Sequence, residues 1–115
     1  MQVGYIGLGN MGGALAERLQ KTMPLHVHDR SQAAMDRLGA AGATPCATAR
    51  EVAERCDLVL TCLQTSAQVR EVVFGAGGLA EGLRPGTIVV DQTTGDPFET
   101  RKLQAEVEAL GAHFM

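Results

Sequence analysis

The chain has 115 residues and a formal net charge of −3 at pH 7, and its ten basic residues are spread along it rather than clustered. This length suits a single domain with one core, and the acidic balance argues against nucleic acid or an anionic membrane surface as a partner. No apolar run approaches the roughly 20 residues that a membrane-spanning helix needs. We expect a cytoplasmic protein with its three cysteines reduced.

Strand and helix patterns alternate along the whole sequence, which is typical of βαβ units and a parallel sheet. The strands are predicted at residues 2–6, 25–28, 43–46, 58–63, 87–90 and 112–115. The helices are predicted at residues 11–21, 32–39, 49–55, 66–74 and 97–111, with a short helical turn near 79–83. In the first helix, Met11, Leu15 and Leu19 are spaced by four and are expected to form its apolar face.

Side chains that cap helices precede four of these helices. Ser31, Thr48, Thr65 and Asp96 each stand just before the first helical residues, and Pro97 occupies the first position of the last helix. Thr48 and Thr65 are followed three residues later by Glu and Gln, as in a capping box. The predicted helix starts therefore have a physical basis independent of hydrophobic periodicity.

A glycine motif joins the first strand to the first helix. In Gly-Leu-Gly-Asn-Met-Gly, Gly7 permits a tight turn, Gly9 lets the backbone approach a pyrophosphate, and Gly12 lets the helix pack closely on the strand. The free N–H groups at the start of that helix favour an anion. We therefore predict an α/β fold of Rossmann type, with a doubly wound, mostly parallel sheet in three layers, and pyrophosphate binding by Gly7, Leu8, Gly9, Asn10, Met11 and Gly12.

Asp29 ends the second strand, about 20 residues beyond the glycine motif, where such domains use an acid to bind the ribose hydroxyls. A carboxylate there repels a 2′-phosphate, so NAD is the favoured cofactor. Arg30 and Ser31 follow directly and could accept that phosphate, which keeps NADP as the alternative. Alternatively, Asp29, Arg30 and Ser31 bind no ligand and form only a solvated turn that leads into a helix cap.

Polar residues also follow the fourth and fifth strands. Ligands of open α/β sheets lie across the carboxyl ends of the strands, so Leu63, Gln64 and Gln68 are expected beside the cofactor. Thr93 and Thr94 could hold a nicotinamide or a substrate carboxylate. Helix capping by Thr65 and Gln68, and an ordinary loop after the fifth strand, explain the same residues without a ligand.

Three segments together resemble the β-hydroxyacid dehydrogenase family, which includes 3-hydroxyisobutyrate dehydrogenase and, more distantly, 6-phosphogluconate dehydrogenase. They are Gly-Leu-Gly-Asn-Met-Gly at 7–12, Cys-Leu-Gln-Thr-Ser at 62–66 and Asp-Gln-Thr-Thr-Gly-Asp-Pro at 91–97. The resemblance implies that residues 7–12 bind the pyrophosphate and that Leu63, Gln64, Gln68 and Thr94 approach the nicotinamide half. Thr93 matches a serine that contacts substrate. Gln64 departs from the family's usual proline, and Thr93 adds a methyl group to that serine.

The resemblance also implies the function. We expect residues 1–115 to be the dinucleotide-binding domain of a longer oxidoreductase that transfers a hydride between a small 3-hydroxyacid and NAD or NADP. The catalytic lysine and a helical second domain would lie beyond Met115, so no catalytic residue is assigned in this chain, and homo-oligomers are expected.

His26 and His28 lie two residues apart on a strand but lack a third ligand nearby in sequence, so no metal site is predicted. The alternative is a non-catalytic regulatory domain that senses nucleotides, which would have no need for the polar segment 91–97.

Overall fold

The computed structural model describes residues 1–93 and 95–115, apart from the side chain of Asn10. The strands are β1 Val3–Ile6, β2 Leu25–His28, β3 Thr44–Pro45, β4 Leu58–Thr61, β5 Ile88–Asp91 and β6 His113–Phe114. The helices are α1 Asn10–Gln20, α2 Gln32–Ala40, α3 Ala49–Arg55, α4 Ser66–Phe74 and α5 Pro97–Glu108, with a 3₁₀ turn at Leu79–Glu81. Each predicted element is present, and the boundaries differ by a few residues at most.

The strands form one sheet in the order β3-β2-β1-β4-β5-β6, and every described pair is parallel. The chain starts in the middle of the sheet, moves outward through β2 and β3, and then returns to the other side of β1 for the remaining three strands. The strand order therefore reverses between β1 and β4, which is where such sheets bind ligands. The prediction of a doubly wound Rossmann sheet is confirmed.

Helices cover both faces of the sheet and make three layers. On one face α1 and α2 pack around Tyr5, Val27 and their neighbours, and on the other face α3, α4 and α5 pack around Val59, Val89 and Phe114. The α1/α2 face leaves the side chains of β4 and β5 less covered: Leu58, Leu60, Ile88 and Val90 remain partly exposed. The sheet is thus better buried beneath α3, α4 and α5.

The predicted helix caps are present. Each capping side chain accepts a hydrogen bond from a backbone N–H in the first turn of its helix, at 3.2 Å for Ser31, 3.1 Å for Thr48, 3.1 Å for Thr65 and 2.8 Å for Asp96. In contrast, α1 begins after Gly9, which has no side chain to cap it, and it carries no acidic residue in its first turn. Among the five α-helices that the structure describes, α1 is therefore the one whose first backbone N–H groups have no capping side chain and can donate to another acceptor.

The predicted apolar face of α1 was wrong in part. Met11 is 69% exposed, and Leu15 and Leu19 are only partly buried. Gly12, Gly13 and Ala16 are buried, and Leu15 and Leu19 pack against the core cluster that contains Tyr5 and Val27. Small residues let the start of the helix approach the sheet closely. Leu15 and Leu19 continue the packing along the helix, so only Met11 departs from the predicted face.

No helix within residues 1–93 and 95–115 is long and apolar enough to cross a lipid bilayer. All three cysteines are free thiols, with Cys46 and Cys56 buried and Cys62 half-buried. Burial raises the pKa of Cys46 from 9.0 to about 11, with the nearby Glu51 carboxylate adding to the effect. Burial likewise raises the pKa of Cys56 from 9.0 to about 12. Both thiols therefore stay protonated well above neutral pH.

These environments predict unequal thiol reactivity. At pH 8 we expect dithiobis(nitrobenzoate) to modify one thiol of the native chain rapidly, that of Cys62, because the thiolate is the reactive form and the two buried thiols are neither ionised nor accessible. All three thiols should react in denaturant. Cys62→Ser should abolish the rapid phase, and a rapid phase that persists in that variant would contradict the burial of Cys46 and Cys56.

Candidate functional site: a cleft at the carboxyl edge of the sheet

The glycine loop is held against the end of β4 by contacts that exclude side chains. Gly7 has φ +97°, a conformation that favours glycine, and a Cβ there would collide with the carbonyl oxygen of Cys62. A Cβ at Gly12 would collide with the carbonyl oxygen of Gly7. The Cys62 N–H donates to the Ile6 carbonyl at 2.9 Å, which continues the β1–β4 pairing into the loop. Gly7 and Gly12 are therefore required by the fold itself.

Gly9 differs from these two glycines. An added Cβ would have no atom within 4 Å, and the backbone at φ −66° is open to any residue. The protein therefore leaves space above Gly9 at the uncapped start of α1. A diphosphate fits this arrangement, because free N–H groups and the positive end of the helix dipole face an unfilled volume.

Asp29 contacts the glycine loop directly. One carboxylate oxygen accepts a hydrogen bond from the Leu8 N–H at 2.6 Å, and the other accepts one from the Ser31 N–H at 2.8 Å. The carboxylate thus ties the end of β2 to the loop after β1. Because a carboxylate has about four acceptor positions, two remain for other donors such as ribose hydroxyls. Sequence reasoning placed Asp29 correctly at the strand end but missed this positioning role.

The loops after β4 and β5 are joined by side-chain hydrogen bonds. The Leu63 N–H donates to the Thr93 hydroxyl oxygen at 2.9 Å. One oxygen of Asp91 accepts from the Thr61 hydroxyl at 2.8 Å and from the Thr93 N–H at 3.0 Å. Thr93 therefore fixes the loop that carries Leu63, while its own O–H remains a potential donor. Thr94 lies outside the described residues.

Gln68 fixes the same loop from α4. Its side-chain oxygen accepts from the Gln64 N–H at 2.8 Å, while its backbone N–H donates to the Thr65 hydroxyl at 3.1 Å. The helix-capping interpretation is confirmed for Thr65. The side-chain NH₂ of Gln68 remains a donor at the edge of the cleft, so capping and ligand contact are compatible at this residue.

The larger cavity has a volume of about 510 Å³ and lies at the carboxyl edge of the sheet. Of the residues predicted to bind the cofactor, its lining includes Gly7, Gly9, Asp29, Arg30, Leu63, Gln64 and Gln68. The lining also contains residues that sequence reasoning did not select: His28, Thr48, Glu71, Val72 and the segment 76–78. The rule that ligands meet the ends of parallel strands could have found the segment after β3 that contains Thr48, but no comparable signal marks Glu71 on α4.

A smaller cavity of about 270 Å³ lies on the other side of the glycine loop, lined by Gly9, Met11, Gly12, Cys62, Leu63, Gln64 and Gln92. Gly9, Cys62, Leu63 and Gln64 line both cavities, so the two adjoin at the reversal in strand order and are together called the cleft. Cys62 packs against the core beneath α1 and α2, and it also lines both cavities because its side chain is only half-buried. Leu8 is buried beneath the loop, and Ser31 is exposed beside Asp29.

His26 and His28 each have a structural partner through one ring nitrogen. A ring nitrogen of His26 lies 3.0 Å from the side-chain oxygen of Gln2, and one of His28 lies 3.0 Å from the Cys46 carbonyl oxygen. Among the residues that the structure describes, no group of three His, Cys, Asp or Glu side chains is arranged to hold a metal ion. The charged residues that line the large cavity are Asp29, Glu71 and Arg30.

A parallel sheet of this order, with a glycine loop and an uncapped helix N-terminus where the order reverses, defines a dinucleotide-binding domain of Rossmann type. Over residues 2–115 the chain matches the family described as the NAD binding domain of 6-phosphogluconate dehydrogenase, and it belongs to that family.

Similar proteins are oxidoreductases. The chain is 38% identical over 114 residues to the mitochondrial 3-hydroxyisobutyrate dehydrogenase of Homo sapiens and 37% identical over 114 residues to the 3-sulfolactaldehyde reductase of Escherichia coli K12. These alignments cover 98% of the chain but only 34% and 38% of the two relatives. The structure of Psf3 in complex with NADP⁺ and 2-OPP superposes with a TM-score of 0.90 at 34% identity, over 97% of this chain and 40% of that one. The chain thus spans little more than a third of the length of these proteins.

The contrast between Gly9 and Gly12 predicts two different mutational effects. Gly9→Val should weaken dinucleotide binding by more than about 1.4 kcal/mol, or tenfold, because its side chain occupies the space left for the diphosphate. Its cost to stability should stay near 1 kcal/mol, as expected for a poorer N-cap. Gly12→Ala should instead destabilise the fold by about 1–3 kcal/mol through overpacking against the Gly7 carbonyl.

Calorimetric titration with NADH and NADPH, together with thermal unfolding of both variants, measures these effects. Wild-type affinity in Gly9→Val would overturn the assignment of the loop to the pyrophosphate.

Proposed function

We propose that this chain is the cofactor-binding part of an NAD(P)-dependent oxidoreductase that acts on a 3-hydroxyacid. The observation that carries the proposal is the cleft of two adjoining cavities, one lined by Asp29 and the other by Gln92, on either side of the glycine loop. A mononucleotide would need only one side of that loop, whereas a dinucleotide needs both sides. The relatives reported above are dehydrogenases and reductases, which supports the same reaction class.

Residue roles follow from position along this cleft. Gly7, Leu8, Gly9, Asn10, Met11 and Gly12 hold the pyrophosphate. Asp29, with Arg30 and Ser31 beside it, binds the adenosine ribose, and Leu63, Gln64 and Gln68 lie next to the nicotinamide half. Thr94 is assigned to the nicotinamide on its sequence position alone.

The substrate would lie beside the loops that Thr93 joins. When bound, the nicotinamide ring supplies hydride chemistry. The chain itself contributes the Thr93 hydroxyl, which keeps an O–H donor for a substrate oxygen while its oxygen fixes Leu63. The general base is assigned to a lysine outside residues 1–115. The chain's two lysines do not serve: Lys21 follows α1 at the end opposite Gly9, and Lys102 is exposed on α5.

The length of the relatives supports an enzyme over the regulatory domain considered above, because each extends far beyond the region that matches this chain. Their names specify different substrates, a 3-hydroxyisobutyrate and a 3-sulfolactaldehyde, so the particular 3-hydroxyacid is left open. Homo-oligomer formation and a cytoplasmic location remain predictions, and the human relative is named as mitochondrial.

We predict a preference for NAD over NADP. Two carboxylates, of Asp29 and Glu71, line the larger cavity, against one guanidinium, of Arg30. The 2′-phosphate of NADP is negative like the carboxylates, so the cavity should repel it. Asp29→Ser should raise the affinity for NADPH relative to NADH several-fold, and Arg30→Ala should lower it.

Glu71→Gln is a matched variant for this test, because it removes a cleft carboxylate that makes no contact with the glycine loop in the described structure. Glu71→Gln therefore measures the effect of removing a negative charge alone, whereas Asp29→Ser also removes the hydrogen bond from the Leu8 N–H. Titrations of each variant with both reduced cofactors supply the ratios, and tighter binding of NADPH than NADH by the wild type would reverse the assignment.

We also predict that these 115 residues alone do not oxidise a 3-hydroxyacid. Hydride transfer needs a substrate held against the nicotinamide and a base on its hydroxyl, and Thr93 supplies at most one contact. Absorbance at the NADH band, measured with several 3-hydroxyacids, should show no turnover by the chain under conditions where it binds cofactor. Turnover would place the catalytic base within residues 1–115.

A further inference from the structure

Tyr5 is a polar side chain in the centre of the core. It lies on β1 with 0% of its surface exposed, among the apolar residues packed under α1 and α2. Its hydroxyl donates a hydrogen bond of 2.8 Å to the side-chain oxygen of Gln92, 87 residues further along the chain. A buried hydroxyl needs such a partner, and here the partner is an exposed residue at the rim of the cleft.

The structure turns the amide oxygen of Gln92 toward Tyr5, so the Tyr5 hydroxyl donates and that oxygen accepts. Burial, with a smaller contribution from the neighbouring Cys62 thiol, raises the pKa of Tyr5 from 10.0 to about 12, so the phenol keeps its proton throughout the ordinary pH range. An amide oxygen can only accept. With that oxygen engaged by Tyr5, the NH₂ group is the part of the Gln92 side chain that remains to donate.

The backbone fixes Gln92 as well. It follows β5 directly, and its N–H donates to the Thr61 carbonyl at 2.7 Å. Gln92 lines the smaller cavity together with Gly9, Met11 and Gly12, on the side of the glycine loop opposite Asp29. Since the acid marks the adenosine side of a dinucleotide, Gln92 lies on the nicotinamide side.

We propose that Gln92 donates a hydrogen bond to an oxygen acceptor on the nicotinamide half of the dinucleotide, and that Tyr5 is the positioning residue that orients its amide. This inference rests on the dinucleotide cleft proposed above. The acceptor is either a hydroxyl of the ribose or the carboxamide oxygen of the nicotinamide ring. Tyr5 in the core and Gln92 in the cleft thereby contribute to binding through one contact.

Titration of the chain with NADH, ADP-ribose and ADP tests the proposal. Gln92→Met keeps the length of the side chain but removes the donor, and should weaken NADH binding about three- to tenfold, as expected for one neutral hydrogen bond. ADP, which lacks the nicotinamide half, should bind unchanged. Gln104→Met is the matched control, because Gln104 lies on α5 and pairs with Glu108.

Tyr5→Phe separates positioning from a purely structural role. Phenylalanine fills the same buried space and leaves only an exposed amide without its partner, so the variant should fold. It should weaken NADH binding in the wild-type background and have no further effect in Gln92→Met, because the two residues act through one contact. A structural tie alone would lower the unfolding temperature and leave the ratio of NADH to ADP affinity unchanged, which would overturn the proposal.

A comparison of NADH, ADP-ribose and ADP also identifies which oxygen of the nicotinamide half accepts the hydrogen bond from Gln92. Weakened binding of both ADP-ribose and NADH by Gln92→Met supports a contact to the ribose, and weakened binding of NADH alone supports a contact to the carboxamide. Equal weakening of ADP, or unchanged NADH binding, would overturn the inference while leaving the dinucleotide cleft in place. Failure of the wild type to bind NADH or ADP would overturn the proposed function itself, and the inference with it.

Discussion

Backbone atoms of the glycine loop lie so close to Cys62 that no side chain can stand between them, and the geometry of the cleft depends on that approach. A Cβ at Gly7 would collide with the Cys62 carbonyl, and one at Gly12 with the Gly7 carbonyl. The contact sets how near α1 comes to β1 and β4, so it fixes where the first N–H groups of α1 point. It also explains why the start of α1 carries buried small residues, Gly12 and Gly13, while Met11 is left exposed.

Around this contact, the strand ends are joined to one another by polar groups that also face the cleft. Asp29 connects the end of β2 to Leu8, and Thr93 connects the loop after β5 to Leu63. Each uses only part of its hydrogen-bonding capacity for this purpose. The same side chains can therefore preorganise the loops and still contact a ligand, which reduces the ordering cost of binding.

Much of the fold follows from local sequence patterns, and the site follows only in part. Caps such as Thr48 and Asp96 mark helix starts because the hydrogen bond is made within three residues, and the glycine motif identifies the loop because its constraint is local too. The pairing of Tyr5 with Gln92 and the approach of Glu71 to the cleft depend on the order of strands in the sheet. Residues far apart in sequence carry no local signal of such contacts, and the exposed position of Met11 likewise depends on how closely the helix approaches the sheet.

The uncapped start of α1 shows how binding is favoured at the expense of local stability. The other four helices each begin with a side-chain oxygen that accepts a hydrogen bond from the first turn, an interaction that contributes roughly a few tenths of a kcal/mol more than glycine at that position. At Gly9 that oxygen is missing, and an oxygen there would compete for the N–H groups that a diphosphate needs. The helix with the weakest local start is therefore the one at the reversal in strand order, and binding of the dinucleotide would supply the acceptor that its sequence omits.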